Sequence, residues 1–276
     1  MKLRSYLFFL SGIVIFMIII RSVLLVPVES TWWMRTIELF FYLSPALLAW
    51  RIEKKGIKEF CRTYLFQSKN IDYKKVACYT LYTAILYPLL VVLFVFIGGN
   101  LLGIDAVGRV LQVNENFIYM GITFSGNSLW GNVLLFCMNI LFMLGAGITL
   151  GTFSYIAEEV GWRGFLERNT PYNQSIKPVF SGLIWTLWGL PFYKIEIGYL
   201  FVLLLFNIIF SFYLSRVVRE TNTIWASAAI RGIISFCSLS VINPGNNMGQ
   251  LCTMVLAMLC LIGVSVTLQY EKRKIS

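Results

Sequence analysis

Two adjacent carboxylates and an arginine stand close together in Ala157-Glu158-Glu159-Val160-Gly161-Trp162-Arg163-Gly164-Phe165, within a chain that is 58% hydrophobic and 13% charged. If this stretch is helical, Glu159 and Arg163 are four residues apart on one face, with the acid N-terminal to the base, the better order for an ion pair. Glu158 then points about a third of a turn away. One carboxylate can be held by Arg163 while the other is left for chemistry or for a second cation. Ionised side chains at membrane depth are costly and face a protein interior or a watery cavity, so an acidic pair there is a functional-site candidate. The competing reading is a helix-end salt bridge at the cytoplasmic interface with no present function.

One absence narrows the chemistry. The 276 residues contain no histidine, which excludes His-ligated zinc, a Ser-His-Asp triad and a histidine base. No cofactor is expected. The six cysteines are scattered without CxxC spacing and read as free thiols used as small apolar residues.

The elements that must position the motif are apolar runs of about the 20 residues a spanning helix needs. Backbone groups in lipid must be satisfied within the segment. The expected class is therefore all-α: a polytopic transmembrane bundle of about eight spans with both termini cytoplasmic. The runs are 6–28, 32–50, 76–97, 129 into the motif, 178–193, 197–215, 223–242 and 250–268. On that topology the inside segments hold 18 Lys or Arg and the outside segments two, Arg109 and Lys194; three more, at 21, 35 and 231, fall within spans. This is the asymmetry the positive-inside rule requires.

The net charge of +10 is thus explained by cytoplasmic loops and argues against a nucleic-acid partner. Arg51 to Lys75, with eight Lys or Arg against Glu53, Glu59 and Asp72, reads as a basic interfacial element on an anionic leaflet. Arg35 and Glu38 read as an interfacial ion pair. The chain divides into N-terminal helices with their two loops (1–128), a core carrying the motif (129–242), and a last span with a basic tail (243–276).

The sequence Glu158-Glu159-Val160-Gly161-Trp162-Arg163-Gly164-Phe165-Leu166 resembles the EExxxR signature of the CAAX protease and bacteriocin-processing family of intramembrane proteases, which includes Rce1-type prenyl-protein proteases. Ser181 to Pro191, with Trp185 followed four positions later by Gly189 and then Leu190-Pro191, resembles the family's second motif. Ile224 to Ser235 resembles the third. The family carries histidine where this chain has Gly189, and histidine and asparagine where it has Arg231 and Ser235. The resemblance implies that Glu158, Glu159 and Arg163 are retained as catalytic-motif residues. It also implies that Trp185, Gly189, Arg231 and Ser235 are degenerate positions.

A guanidinium stays protonated and offers no lone pair, so Arg231 replaces neither a base nor a metal ligand. It can pair with Glu158, giving two acids and two bases. Trp162, Trp185, Trp188 and Trp225 read as core aromatics, and Gly161, Gly164, Gly182 and Gly189 as close-packing positions.

The resemblance implies a multi-pass plasma-membrane protein, bacterial by its residue usage. The expected role is that of a pseudoprotease binding a peptide, a lipid-linked molecule or a membrane-protein partner, in bacteriocin self-immunity or cell-envelope regulation. An active glutamate-type intramembrane endopeptidase using Glu158 is the alternative. A small transporter ranks third, because polar residues in the spans are sparse.

Overall fold

The computed structural model describes residues 2–24, 31–66, 70–97, 117–119, 122–124, 144–192, 196–240 and 252–265, with isolated positions between 131 and 141. The side chains of Arg35 and Glu38, most of the 98–128 loop and the basic tail lie outside the described residues, as do the readings made of them. What is described is helical, as expected, apart from a short hairpin in which Phe117–Tyr119 pairs antiparallel with Ile122–Phe124. Among the described residues two helices are long and apolar enough to cross a membrane, Leu3–Ser22 and Ile197–Thr221. Large apolar side chains such as Leu7, Phe8, Ile15 and Ile18 on the first and Phe201 on the second point outward, while Phe9, Ile13 and Phe210 are buried. A helix apolar on every side belongs either in a core or in lipid.

Close contacts gather the chain into two compact units. The first comprises residues 1–79 and 152–228, and the second residues 80–151 and 229–276.

In the first unit the N-terminal helix Lys2–Leu24 packs on the second helix, Thr31–Glu53, which in turn packs on the motif helix Thr152–Glu159 and the turn that follows it. That turn, Val160–Leu166, is π-helical, whereas the sequence reading has an α-helix running straight into the motif. Single π turns inside α-helices widen the backbone and recur at functional sites. Two glycines let this one be approached from both sides. A Cβ on Gly161 would lie 2.8 Å from the carbonyl carbon of Pro45, and one on Gly164 2.7 Å from the Tyr64 ring.

The helix Lys177–Gly189 and the long helix Ile197–Thr221 form the other pair of this unit. Asn207 Nδ2 donates to Thr186 Oγ1 across their contact at 3.0 Å. The long helix runs six residues beyond the expected end at Ser215 and stops at Asn222, which adopts the left-handed conformation at φ 56°. Asn tolerates that conformation at helix ends better than most residues. The extra turns dock the start of the helix Tyr73–Phe96: Tyr79 OH donates to Glu220 at 2.8 Å, and the Asp72 backbone N–H donates to the Thr221 carbonyl at 3.2 Å.

In the second unit the π turn Gly147–Gly151 meets the helix Ile224–Ser240 over its part beyond residue 228. A Cβ on Gly151 would lie 2.5 Å from the Gly232 Cα. Backbones in direct contact are what small residues permit at membrane-helix crossings. This crossing places Arg231, which is buried, and Ser235, which is partly exposed, next to it in sequence. Tyr82 OH donates to the Leu261 carbonyl at 3.3 Å, tying the helix Cys252–Ser265 to the same unit.

Candidate functional site

The motif residues of the first unit are deeply buried: Glu158 and Glu159 are 0% exposed and Arg163 3%. Glu159 and Arg163 share a face as the four-residue spacing requires, with Arg163 Nε 3.6 Å from Glu159 Oε2. A second acid stands on the other side of the guanidinium, since Glu167 Oε1 lies 3.8 Å from the same nitrogen. Both separations are ion-pair distances longer than a hydrogen bond. The hydrogen bond goes instead to the long helix, where Arg163 Nη2 donates to Ser211 Oγ at 2.9 Å. One turn further along, Ser215 donates to Glu167. The guanidinium also sits 5.3 Å above the Trp185 ring, within range of a cation–π contact. Arg163 is therefore surrounded by four side chains, each from a different element.

Glu158 is held differently. The indole N–H of Trp162 donates to its Oε2 at 3.3 Å. Trp162 packs edge-on against Trp188 with ring centroids 5.5 Å apart, and Trp188 stacks on Phe41 at 3.5 Å. Phe9 closes the other side of Trp162. The carboxylate thus lies at the edge of an aromatic cluster assembled from the N-terminal helix, the second helix, the motif turn and the helix Lys177–Gly189.

Gly189 is buried and ends that helix, just ahead of the 3-10 turn Leu190–Phe192. The turn is anchored by Arg21, whose Nη1 donates to the Pro191 carbonyl at 3.1 Å. This gives a cation of the first expected span a definite partner.

The structure brings Glu159, Arg163 and Trp185 into one cluster and sets Glu158 beside Trp162, while Arg231 and Ser235 are described with the second unit. The tally of two acids and two bases is corrected, because Glu167 is a third acid in contact with the motif arginine. The sequence reading missed Glu167, Ser211 and Ser215. Glu167 was available from the same four-residue spacing applied in the other direction from Arg163. Asn207, Ser211 and Ser215 recur every four residues in an otherwise apolar helix, which is the signature of a polar stripe facing an interior.

On the cytoplasmic side of the expected topology, Tyr64 covers Gly164 and donates to the Glu53 carboxylate, with the Arg168 guanidinium 5.0 Å from its ring. Burial and the hydrogen bond to Glu53 push the Tyr64 phenol well above its ordinary value near 10. A raised value means that folding favours the protonated phenol. The stabilisation is complete below the unfolded value of 10.0 and is lost only as the pH rises through the higher folded value. In an alkaline titration the phenolate absorbance of wild type and Tyr64→Phe should coincide through pH ~10–11, since ordinary tyrosines ionise near 10. A wild-type excess of one phenolate in that window would contradict the buried hydrogen bond.

Neither Gly189, which has no side chain, nor Arg231, whose guanidinium has no lone pair, can ligate a metal. Residues 139–237 match the family model described as type II CAAX prenyl endopeptidase Rce1-like. No curated protein matches the chain.

Proposed function

On the premise that residues 139–237 make this a membrane protein of the CAAX-protease type, we propose that it is a pseudoprotease whose former catalytic cavity serves as a binding site. The observation that carries this reading is the commitment of the motif side chains to one another. Arg163 is taken up by Glu159, Glu167, Ser211 and Trp185, and Glu158 receives the Trp162 N–H. Nothing at the family's histidine positions can activate a water. What remains is a buried carboxylate beside an aromatic cluster, suited to an apolar peptide, a lipid-linked molecule or a transmembrane segment of a partner. A multi-pass plasma-membrane location in a bacterium, with about eight spans and cytoplasmic termini, belongs to the same proposal, as does a role in bacteriocin self-immunity or envelope regulation.

The alternative, a glutamate-type endopeptidase, is favoured by one observation: Glu158 itself is retained and sits where water can be excluded. The two readings separate on Glu158→Gln, which keeps an oxygen acceptor for the Trp162 indole but cannot act as a base. In a deletion strain complemented at matched membrane abundance, Glu158→Gln should support the wild-type phenotype to within a few fold, and Glu158→Ala should do worse. If Glu158→Gln fails as completely as Glu158→Ala, the binding reading is wrong and the peptidase reading takes its place.

A further inference from the structure

The short helix Ile57–Cys61 and the π turn Arg62–Phe66 have two faces with different surroundings. The inner face carries Phe60 and Tyr64, four residues apart, 5% and 7% exposed, with ring centroids 4.8 Å apart. Tyr64 rests on Gly164 of the motif turn, and the Trp225 indole N–H donates to the Leu65 carbonyl at 2.9 Å. The outer face carries Lys58 and Arg62, also four apart and both exposed, beside Ile57 at 56% exposure. Arg51 and Lys54, both exposed, precede them in the chain. Lys54 adopts a left-handed conformation at φ 55°, turning the chain between the two helices.

The acids do not neutralise this face. Glu53 is engaged by Tyr64 and by Lys55 at 3.0 Å, and Glu59 is the one carboxylate within the segment. Among the described residues, none of Arg51, Lys54, Lys58 and Arg62 forms an ion pair with a side chain of the first unit.

We propose that Lys58 and Arg62, with Arg51 and Lys54, bind the phosphates of anionic phospholipids at the membrane surface, and that this binding seats Tyr64 on Gly164 of the motif turn. The proposal rests on the membrane reading above and adds a lipid class and a route to the motif. Charge complementarity selects an anionic leaflet over a zwitterionic one. The exposed Ile57 beside the cations selects a lipid surface over a free anion, since an apolar side chain gains by entering the headgroup boundary and gains nothing from dissolved phosphate. The segment is the only described link between that surface and the motif turn within the first unit that is basic on one side and aromatic on the other.

The test uses the full chain in nanodiscs of phosphatidylcholine alone or mixed with phosphatidylglycerol, read by hydrogen exchange at residues 57–66 and 160–166. Protection of both segments should rise several-fold in the phosphatidylglycerol discs and weaken at high salt. Lys58→Glu/Arg62→Glu should remove the rise, at about fivefold or more in phosphatidylglycerol dependence. Inorganic phosphate added to phosphatidylcholine discs should have no effect. Tyr64→Ala should keep the response at 57–62 and lose it at 160–166.

Equal protection in the two kinds of disc, or a response reproduced by phosphate alone, would overturn the lipid site. A response at 160–166 that survives Tyr64→Ala would overturn the coupling. The readout needs neither a bound peptide nor proteolysis, so its failure is distinct from failure of the Glu158 experiment.

Discussion

Gly161→Ala is expected to prevent the folded protein from accumulating in the membrane. The added Cβ would lie 2.8 Å from the Pro45 carbonyl carbon and 2.9 Å from its Cα. Those atoms belong to the backbone of the second helix, so relief requires that helix to move as a body against the motif turn. Overpacking ordinarily costs about 1–3 kcal/mol when side chains can adjust, and here they cannot. Gly56→Ala is the matched control, since a Cβ there meets nothing within 4 Å and its extended backbone suits alanine. Membrane abundance and thermal unfolding should fall for Gly161→Ala and stay at wild-type levels for Gly56→Ala. Equal behaviour of the two would mean that the contact with Pro45 does not hold the second helix in place.

Arg163→Ala should come next in severity, through charge rather than volume. Removing the guanidinium strands Glu159, which is buried, and Glu167, which is partly exposed beside it, and breaking a buried ion cluster on one side costs about 3–5 kcal/mol. Replacing the whole cluster by Glu159→Gln/Arg163→Met/Glu167→Gln should recover most of that loss, because no charge is left without a partner. Unfolding in detergent by chemical denaturant compares the two. Arg163→Lys should fall between them: it keeps the charge but loses the planar geometry that reaches Ser211 and lies over Trp185. If the triple variant is as unstable as Arg163→Ala, the arginine acts through packing and hydrogen bonding, and the charge balance is secondary.

Much of this site could be read from the amino-acid order. Spacing alone paired Glu159 with Arg163, and the apolar runs located the helices that carry both. The motif frames placed Trp185 in the same site, and the structure gives it the face of the arginine. Three features escaped for identifiable reasons. The π turn at Val160–Leu166 leaves no mark in a hydrophobic pattern, and the residues that pack against it, Pro45 and Tyr64, come from distant parts of the chain.

Glu167 was passed over because it lies beyond the signature that drew attention to Arg163, although it stands at the same four-residue distance. Tyr64 was counted within a basic loop, where its neighbours' charges masked a residue facing inward. Local spacing reveals which side chains share a face, and only tertiary contact reveals what meets that face.

The stripe on the long helix has a mechanical consequence. Asn207, Ser211 and Ser215 each engage a different group: Thr186 on one neighbour, then Arg163 and Glu167 on the other. Because the three residues share one face, a rotation of that helix is expected to strain all three contacts together. Bringing each polar residue to the place its predecessor held would need a shift of four residues, about 6 Å at the rise of an α-helix. The long helix therefore ties the Thr186 helix and the Arg163 cluster together through one polar stripe. A movement of the long helix away from Arg163 is expected to strain its contact with the Thr186 helix as well.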